Sequence, residues 1–144
     1  EMSIEFDSRS CNEGFARVCV AGFCLQLNPS LDEINDIKTA VSEAVTNCVV
    51  HAYPKGHGMV TLRCEIEGDL VKITVLDKGV GIKDIAKARE PFFTTKPSEE
   101  RSGMGFAVME SFMDKVDVDQ NEDKGVCVTM YKRINRLQEQ VSNA

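Results

Sequence analysis

Glu43 and Asn47 stand four residues apart in a segment whose apolar residues recur every three to four positions. Helical geometry would stack the two polar heads on one face, one turn apart, at the border of the apolar stripe. A carboxylate placed there can take a proton from a hydroxyl, and a carboxamide oxygen can hold a hard cation. Taken alone, the pair also fits a solvated polar flank. His51, one turn further along, reads as a structural histidine.

Two glycine-bearing turns could approach a ligand. Asp77-x-Gly79-x-Gly81 follows an apolar run, so a carboxylate at a strand end could accept from a planar amine while the glycines let backbone come close. A plain β-turn has the same composition. Gly103-Met104-Gly105 precedes an amphipathic stretch; unpaired N–H groups at a helix start suit phosphate oxygens, and a tight loop-to-helix turn needs the same residues. Between the two lies a polar, proline-bounded segment, 91–102. It reads as a surface loop or as a lid bringing Lys96 and Arg101 to phosphate charge.

The elements that must position these residues follow from periodicity. Residues 2–7 alternate as an edge strand, and Ser10-x-x-Glu13 reads as a capping box for a helix to about Leu27 that buries Phe15, Val18, Cys19 and Gly22. Ser30-x-x-Glu33 opens a second helix carrying Ile34, Ile37, Val41, Ala44, Val45, Cys48 and Ala52 at helical spacing. Pro54, Gly56 and Gly58 end it. Val60, Leu62, Cys64 and Ile66 alternate with polar residues, Gly68-Asp69 turns a hairpin, and residues 70–76 return to Asp77. A third helix points Phe106, Met109, Phe112 and Met113 inward, and residues 116–118 pair with 126–131 across a turn at 121–125. The expected fold is α+β: a two-layer sandwich with a mixed, mainly antiparallel sheet covered on one face by helices.

Composition narrows the function. At 144 residues with 42% hydrophobic and 28% charged, the chain reads as a single domain over residues 1–144. Its 17 Lys+Arg against 23 Asp+Glu leave a formal charge of -6, which disfavours nucleic-acid backbone. The apolar stretch 15–27 is broken by Arg17 and Gln26, so no membrane span is expected, and without a leader pattern a cytoplasmic protein is. Six cysteines without a C-x-x-C argue for packing over zinc, and two histidines give a hydrolase triad no support.

P-loop, dinucleotide-binding and ordinary protein-kinase motifs are missing from the sequence. In their order, however, Glu43-x-x-x-Asn47, Asp77-x-Gly79-x-Gly81, the segment 90–101 and Gly103-x-Gly105 resemble the N box, first glycine box, ATP lid and second glycine box of the GHKL ATP-binding superfamily. Gyrase, the large heat-shock chaperone, histidine kinases and mismatch-repair ATPases share that fold. Within it, Ser42-Glu-Ala-Val-Thr-Asn47, Phe93-Thr-Thr-Lys-Pro97 and Glu100-Arg-Ser-Gly-Met-Gly-Phe106 are most similar to anti-sigma serine kinases of the sporulation sigma-F type, over about residues 4–133. A histidine kinase would add a phosphoacceptor helical domain, which is not expected here.

The resemblance implies a set of roles. Asn47 would hold Mg²⁺ bridging the phosphates of ATP or ADP, and Glu43 would be the general base toward a serine hydroxyl. Asp77 would accept from the adenine amino group, with Gly79 and Gly81 admitting the nucleotide and Thr129 supporting the adenine contact. Thr95, Lys96, Arg101 and Ser102 would meet the phosphates from the lid, and Gly103, Met104 and Gly105 from the helix start. Lys78 stands where the family carries an acidic residue. The activity implied is an ATP-dependent protein serine/threonine kinase that phosphorylates an anti-anti-sigma protein and inhibits an RNA polymerase sigma factor, working as a homodimer. Arg17 is the candidate for partner docking, or a solvated arginine covering apolar surface. The alternatives are a nucleotide-gated sigma-factor-binding module without phosphotransfer, or a general-stress-type anti-sigma kinase.

Overall fold

The computed structural model describes residues 1–54, 56–80, 105–120 and 125–134. Among the described residues five strands, β1 (Met2–Asp7), β2 (Met59–Glu67), β3 (Leu70–Asp77), β4 (Lys115–Gln120) and β5 (Val126–Arg133), form one sheet in the order β1-β2-β3-β5-β4. All pairings among the described residues are antiparallel. β5 therefore inserts between β3 and β4, and the end of β3 lies beside the start of β5. The β2–β3 hairpin turns through Gly68, whose φ of 62° a side chain would resist.

Register places all inward side chains on one face. Phe6 faces Val60, Leu62 faces Val75, Cys64 faces Ile73, and Ile73 and Val116 flank Met130. These residues are buried while their neighbours along each strand are more exposed, so the strands alternate as a one-sided sheet requires.

Among the described residues three helices, α1 (Cys11–Cys24), α2 (Leu31–Asn47) and α3 (Gly105–Phe112), form the second layer, with α2 packed against both others. The α2 capping box is complete: Ser30 Oγ accepts from Glu33 N, and Glu33 Oε1 accepts from Ser30 N. Its buried row, Ile37, Ala40, Val41, Ala44 and Val45, joins Leu62, Ile73 and Met130 in the core. Burying each large aliphatic among these stabilises the fold by about 1.5–3 kcal/mol. Lys132 Nζ donates to the Phe112 carbonyl at 2.7 Å and pairs with Asp36 Oδ2 at 3.5 Å, tying β5 to α3 and α2.

Several expectations are corrected. The capping box at Ser10 does not form: Ser10 is itself helical and its side chain caps nothing, while Glu13 instead accepts from Arg17 one turn on. α1 gives way to a 3-10 turn, Leu25–Leu27. It buries Ala16, Val20 and Cys24, whereas Phe15 and Val18 are 57% and 63% exposed and Gly22 is exposed. α1 is apolar on nearly every side, so its periodicity selects no face; the small row at i, i+4 and i+8 allows the closest approach to α2. Phe112 lies at the surface while Met113 is buried. Cys11 is exposed and so does not pack. No helix among the described residues is long and apolar enough to cross a membrane.

Candidate active site

Glu43 and Asn47 occupy the last turns of α2, both half-buried, as their spacing requires. The first residue of α3 stands directly over them. A Cβ built on Gly105 would lie 3.3 Å from Asn47 Oδ1, 3.4 Å from Asn47 Nδ2 and 3.5 Å from Glu43 Oε2. Gly105, the first residue of α3, thus lies against the carboxylate–carboxamide pair.

Asn47 Nδ2 is buried with no hydrogen-bond partner among the described residues. An unmade bond of this kind costs about 1–3 kcal/mol, and it marks a place where a polar ligand completes the network. The donor set fits a magnesium–nucleotide complex: a neutral carboxamide oxygen suits a hard cation, and the orphaned amide and the α3 terminus suit phosphate oxygens. Among the described residues no cluster of His, Cys, Asp and Glu competes as a metal site.

Beyond Asn47 the helix loosens into a π-helical turn, Cys48–Ala52, a distortion that recurs at functional sites. The turn grips the end of β3. Val80 N donates to the Ala52 carbonyl at 2.9 Å, and any side chain on Gly79 would overlap that carbonyl. Tyr53 Oη accepts from Lys78 N at 2.8 Å and donates to the Met59 carbonyl at 2.7 Å, while Gly58 lies flat against the Tyr53 ring. His51 belongs to this turn, half-buried.

Asp77 is the buried carboxylate at the centre of these contacts, only 5% exposed. Its Oδ1 accepts from Gly79 N at 2.9 Å and from Val126 N at 3.1 Å, and its Oδ2 accepts from Cys48 Sγ at 3.5 Å. Burial first, and then the Asp77 charge and hydrogen bond, push the Cys48 thiol well above its usual range, so it stays a donor. A side chain on Gly125 would overlap the Asp77 carbonyl, which is how β5 comes close enough for Val126 to reach the carboxylate.

The structure therefore brings together Glu43, Asn47 and Gly105 at one end, and Asp77 and Gly79 at the other, along a single helix and its π turn. Thr129 is not brought to the site. Its partners across the sheet are Thr74 and Asp117, so it projects from the face opposite Asp77, beside Cys127 Sγ at 3.9 Å. Strand parity decides this, and the resemblance did not count it. Gly81, Thr95, Lys96, Arg101, Ser102, Gly103 and Met104 lie outside the described residues. Arg17 is half-buried, bonded to Glu13 Oε1 at 3.2 Å and Ser42 Oγ at 3.4 Å. It lines a groove of about 430 Å³ with Lys38, Thr39, Ser42 and Glu43, which places it at the approach to the carboxylate.

Sequence reasoning missed Cys48, Tyr53 and Gly125. Cys48 reads as another apolar residue of the helical stripe, and Tyr53 carries no motif. Gly125, immediately before an apolar strand, did carry a signal, because glycine there often marks close backbone approach.

The family whose sequence profile matches residues 13–132 is described as Histidine kinase-like ATPase domain. The chain is 54% identical over 136 residues to the anti-sigma F factor of Clostridium beijerinckii, covering 94% of this chain and 95% of that one. It is 52% identical over 137 residues to the anti-sigma F factor of Oceanobacillus iheyensis, covering 94% of each. Among solved structures it is similar in fold to the catalytic domain of the histidine kinase ThkA, with a TM-score of 0.56 and 18% identity over 93% of this chain and 98% of that chain.

Proposed function

The chain belongs to the histidine kinase-like ATPase family, in its anti-sigma F factor branch, and we propose that it is an ATP-dependent protein serine kinase. Its substrate is a serine on an anti-anti-sigma protein, and in its other role it binds and inhibits an RNA polymerase sigma factor. It acts in the cytoplasm as a homodimer. The observation that carries the reading is the meeting of Glu43, Asn47 and Gly105 at the end of α2, with the buried Asp77 bonded to Cys48, the next residue along.

In this reading Asp77 accepts from the adenine amino group, and the α3 terminus, with Gly103, Met104 and Gly105, donates N–H groups to the phosphates. Thr95, Lys96, Arg101 and Ser102 add contacts from the segment between the glycine boxes, and Gly81 admits the nucleotide beside Gly79. Mg²⁺, when bound, would be held by the Asn47 oxygen and would supply charge neutralisation at the phosphates. Glu43 takes the proton from the substrate serine as its oxygen bonds to the γ-phosphorus; the bond from that phosphorus to the bridging oxygen breaks, and ADP leaves. In the same reading Arg17, which lines one groove with Glu43, meets the substrate protein.

The test is to incubate the protein with Mg²⁺-ATP and a candidate anti-anti-sigma protein and look for phosphoserine by mass spectrometry. Glu43→Ala is expected to slow transfer by about 10²–10⁴-fold while ATP affinity stays within about threefold, since a base acts in the transition state. Saturable ATP binding without phosphoserine on any candidate would replace this reading with a nucleotide-gated sigma-binding module.

A further inference from the structure

Among the contacts of Asp77 are three donors that do different work. Two backbone N–H groups, from Gly79 and Val126, converge on Oδ1 at 2.9 and 3.1 Å. They fix the position of that oxygen but not the plane of the carboxyl, because the terminal torsion of an aspartate is soft and roughly two-fold. Oδ2 is held by a side chain from a third element, the Cys48 thiol on the π turn, at 3.5 Å. Both residues are sealed from solvent, at 4% and 5% exposed, so bulk water does not substitute for the thiol.

We propose that Cys48 is a positioning residue for base recognition: by donating its S–H to Asp77 Oδ2 it sets the plane of the carboxyl, and with it the preference for a purine bearing an exocyclic amine over one bearing a carbonyl. This rests on the reading of Asp77 as the adenine acceptor. A carboxylate accepts from an amine and repels a carbonyl oxygen, but how sharply it discriminates depends on how firmly its acceptor directions are held. Cys48 directly follows Asn47, so the helix segment that carries the phosphate-end ligand also carries the group that orients the base-end one.

The experiment compares the affinity of the intact protein for Mg²⁺-ATP and Mg²⁺-ITP, whose base replaces the amine with a carbonyl, by competition against a fluorescent ATP. Cys48→Val removes the donor and fills the site with a somewhat larger apolar side chain; Cys48→Ala serves if the valine variant does not fold; Cys48→Ser restores a donor. Losing one hydrogen bond to a charged group should weaken ATP binding by about three- to tenfold with little change for ITP, and serine should recover most of the loss. KM for ATP rises and kcat at saturating ATP stays level, because the groups at the transferred phosphate are untouched. Folded donorless variants that keep the wild-type ATP:ITP ratio, or that lose both nucleotides equally, would overturn the proposal and leave Cys48 a packing residue. A wild-type protein with no preference between the two nucleotides would instead overturn the role of Asp77 itself.

Discussion

Gly105 lies against the Asn47 carboxamide so closely that a Cβ at that position would stand 3.3 Å from Asn47 Oδ1. Residues from separate helices thus share one small space, with Glu43 completing the group at 3.5 Å. Glycine is needed there for the room it leaves at the side chains of α2; Gly105 is not among the residues of positive φ.

Gly105→Ala should therefore fold and yet fail as a kinase. The methyl group displaces the Asn47 carboxamide by a few tenths of an ångström, which a flexible side chain absorbs, while Glu43 at 3.5 Å stays in ordinary contact. Phosphate transfer should fall by about tenfold or more, since small misplacements at reacting groups are costly. Thermal unfolding beside single-turnover kinetics checks this, and full activity in the variant would contradict it.

Asn47→Ala should separate stability from function. The native amide is buried without a partner among the described residues, so removing it should leave the nucleotide-free protein at least as stable, with a gain of up to about 1 kcal/mol. Nucleotide affinity should collapse in the same variant. Denaturant unfolding without nucleotide decides the point: a clear loss of stability would mean that the carboxamide supports the fold.

Two glycines should respond in opposite ways. Gly125→Ala forces a methyl into the Asp77 carbonyl, a backbone contact that cannot yield, and should destabilise by about 3 kcal/mol or more while disturbing Asp77. Gly22→Ala, in α1 with nothing within 4 Å of the new carbon, should stabilise by about 0.5–1 kcal/mol. Chemical denaturation of both variants tests the pair, and a tolerated Gly125→Ala would refute the close approach of β5 to β3.

Stability should decline in alkali through the buried thiols, Cys24 and Cys64 among them. Burial raises Cys24 from 9.0 to about 11, and burial reinforced by Cys24 and Cys19 raises Cys64 from 9.0 to about 12. Above about pH 9 the unfolded chain releases protons that the folded chain keeps, so unfolding becomes easier as pH rises and the stabilisation is spent near the folded values. At about pH 10.5 each thiol should have cost about 2 kcal/mol relative to pH 8. A Cys24→Ala/Cys64→Val variant should show a flatter decline in thermal midpoint between those conditions; an unchanged slope would assign the decline to other groups.

How much of the site could be read in advance depended on how local each cause was. Glu43 and Asn47 were legible because a four-residue spacing on an amphipathic helix fixes their relation whatever surrounds them. Asp77 was legible because an apolar run ended in Asp-x-Gly. The Ser30 capping box formed and the Ser10 one did not, although both have the same pattern, because a cap needs an extended entry residue and the tight link from β1 leaves Ser10 helical. Thr129 shows the converse: its residue type suited the role, but strand parity put it on the other face.

By itself the sequence determined the helices and strands, the one-sided sheet and the ordered motifs, since period, capping and turn chemistry act over a few residues. Only the tertiary structure decided which residues meet. It set Gly105 over Asn47, joined Cys48 to Asp77, brought Gly125 against β3 and turned Ala16, Val20 and Cys24 of α1 inward in place of Phe15 and Val18. Each of these depends on the separation of backbones that are distant along the chain, a separation set by the packing of whole layers and encoded by no single segment.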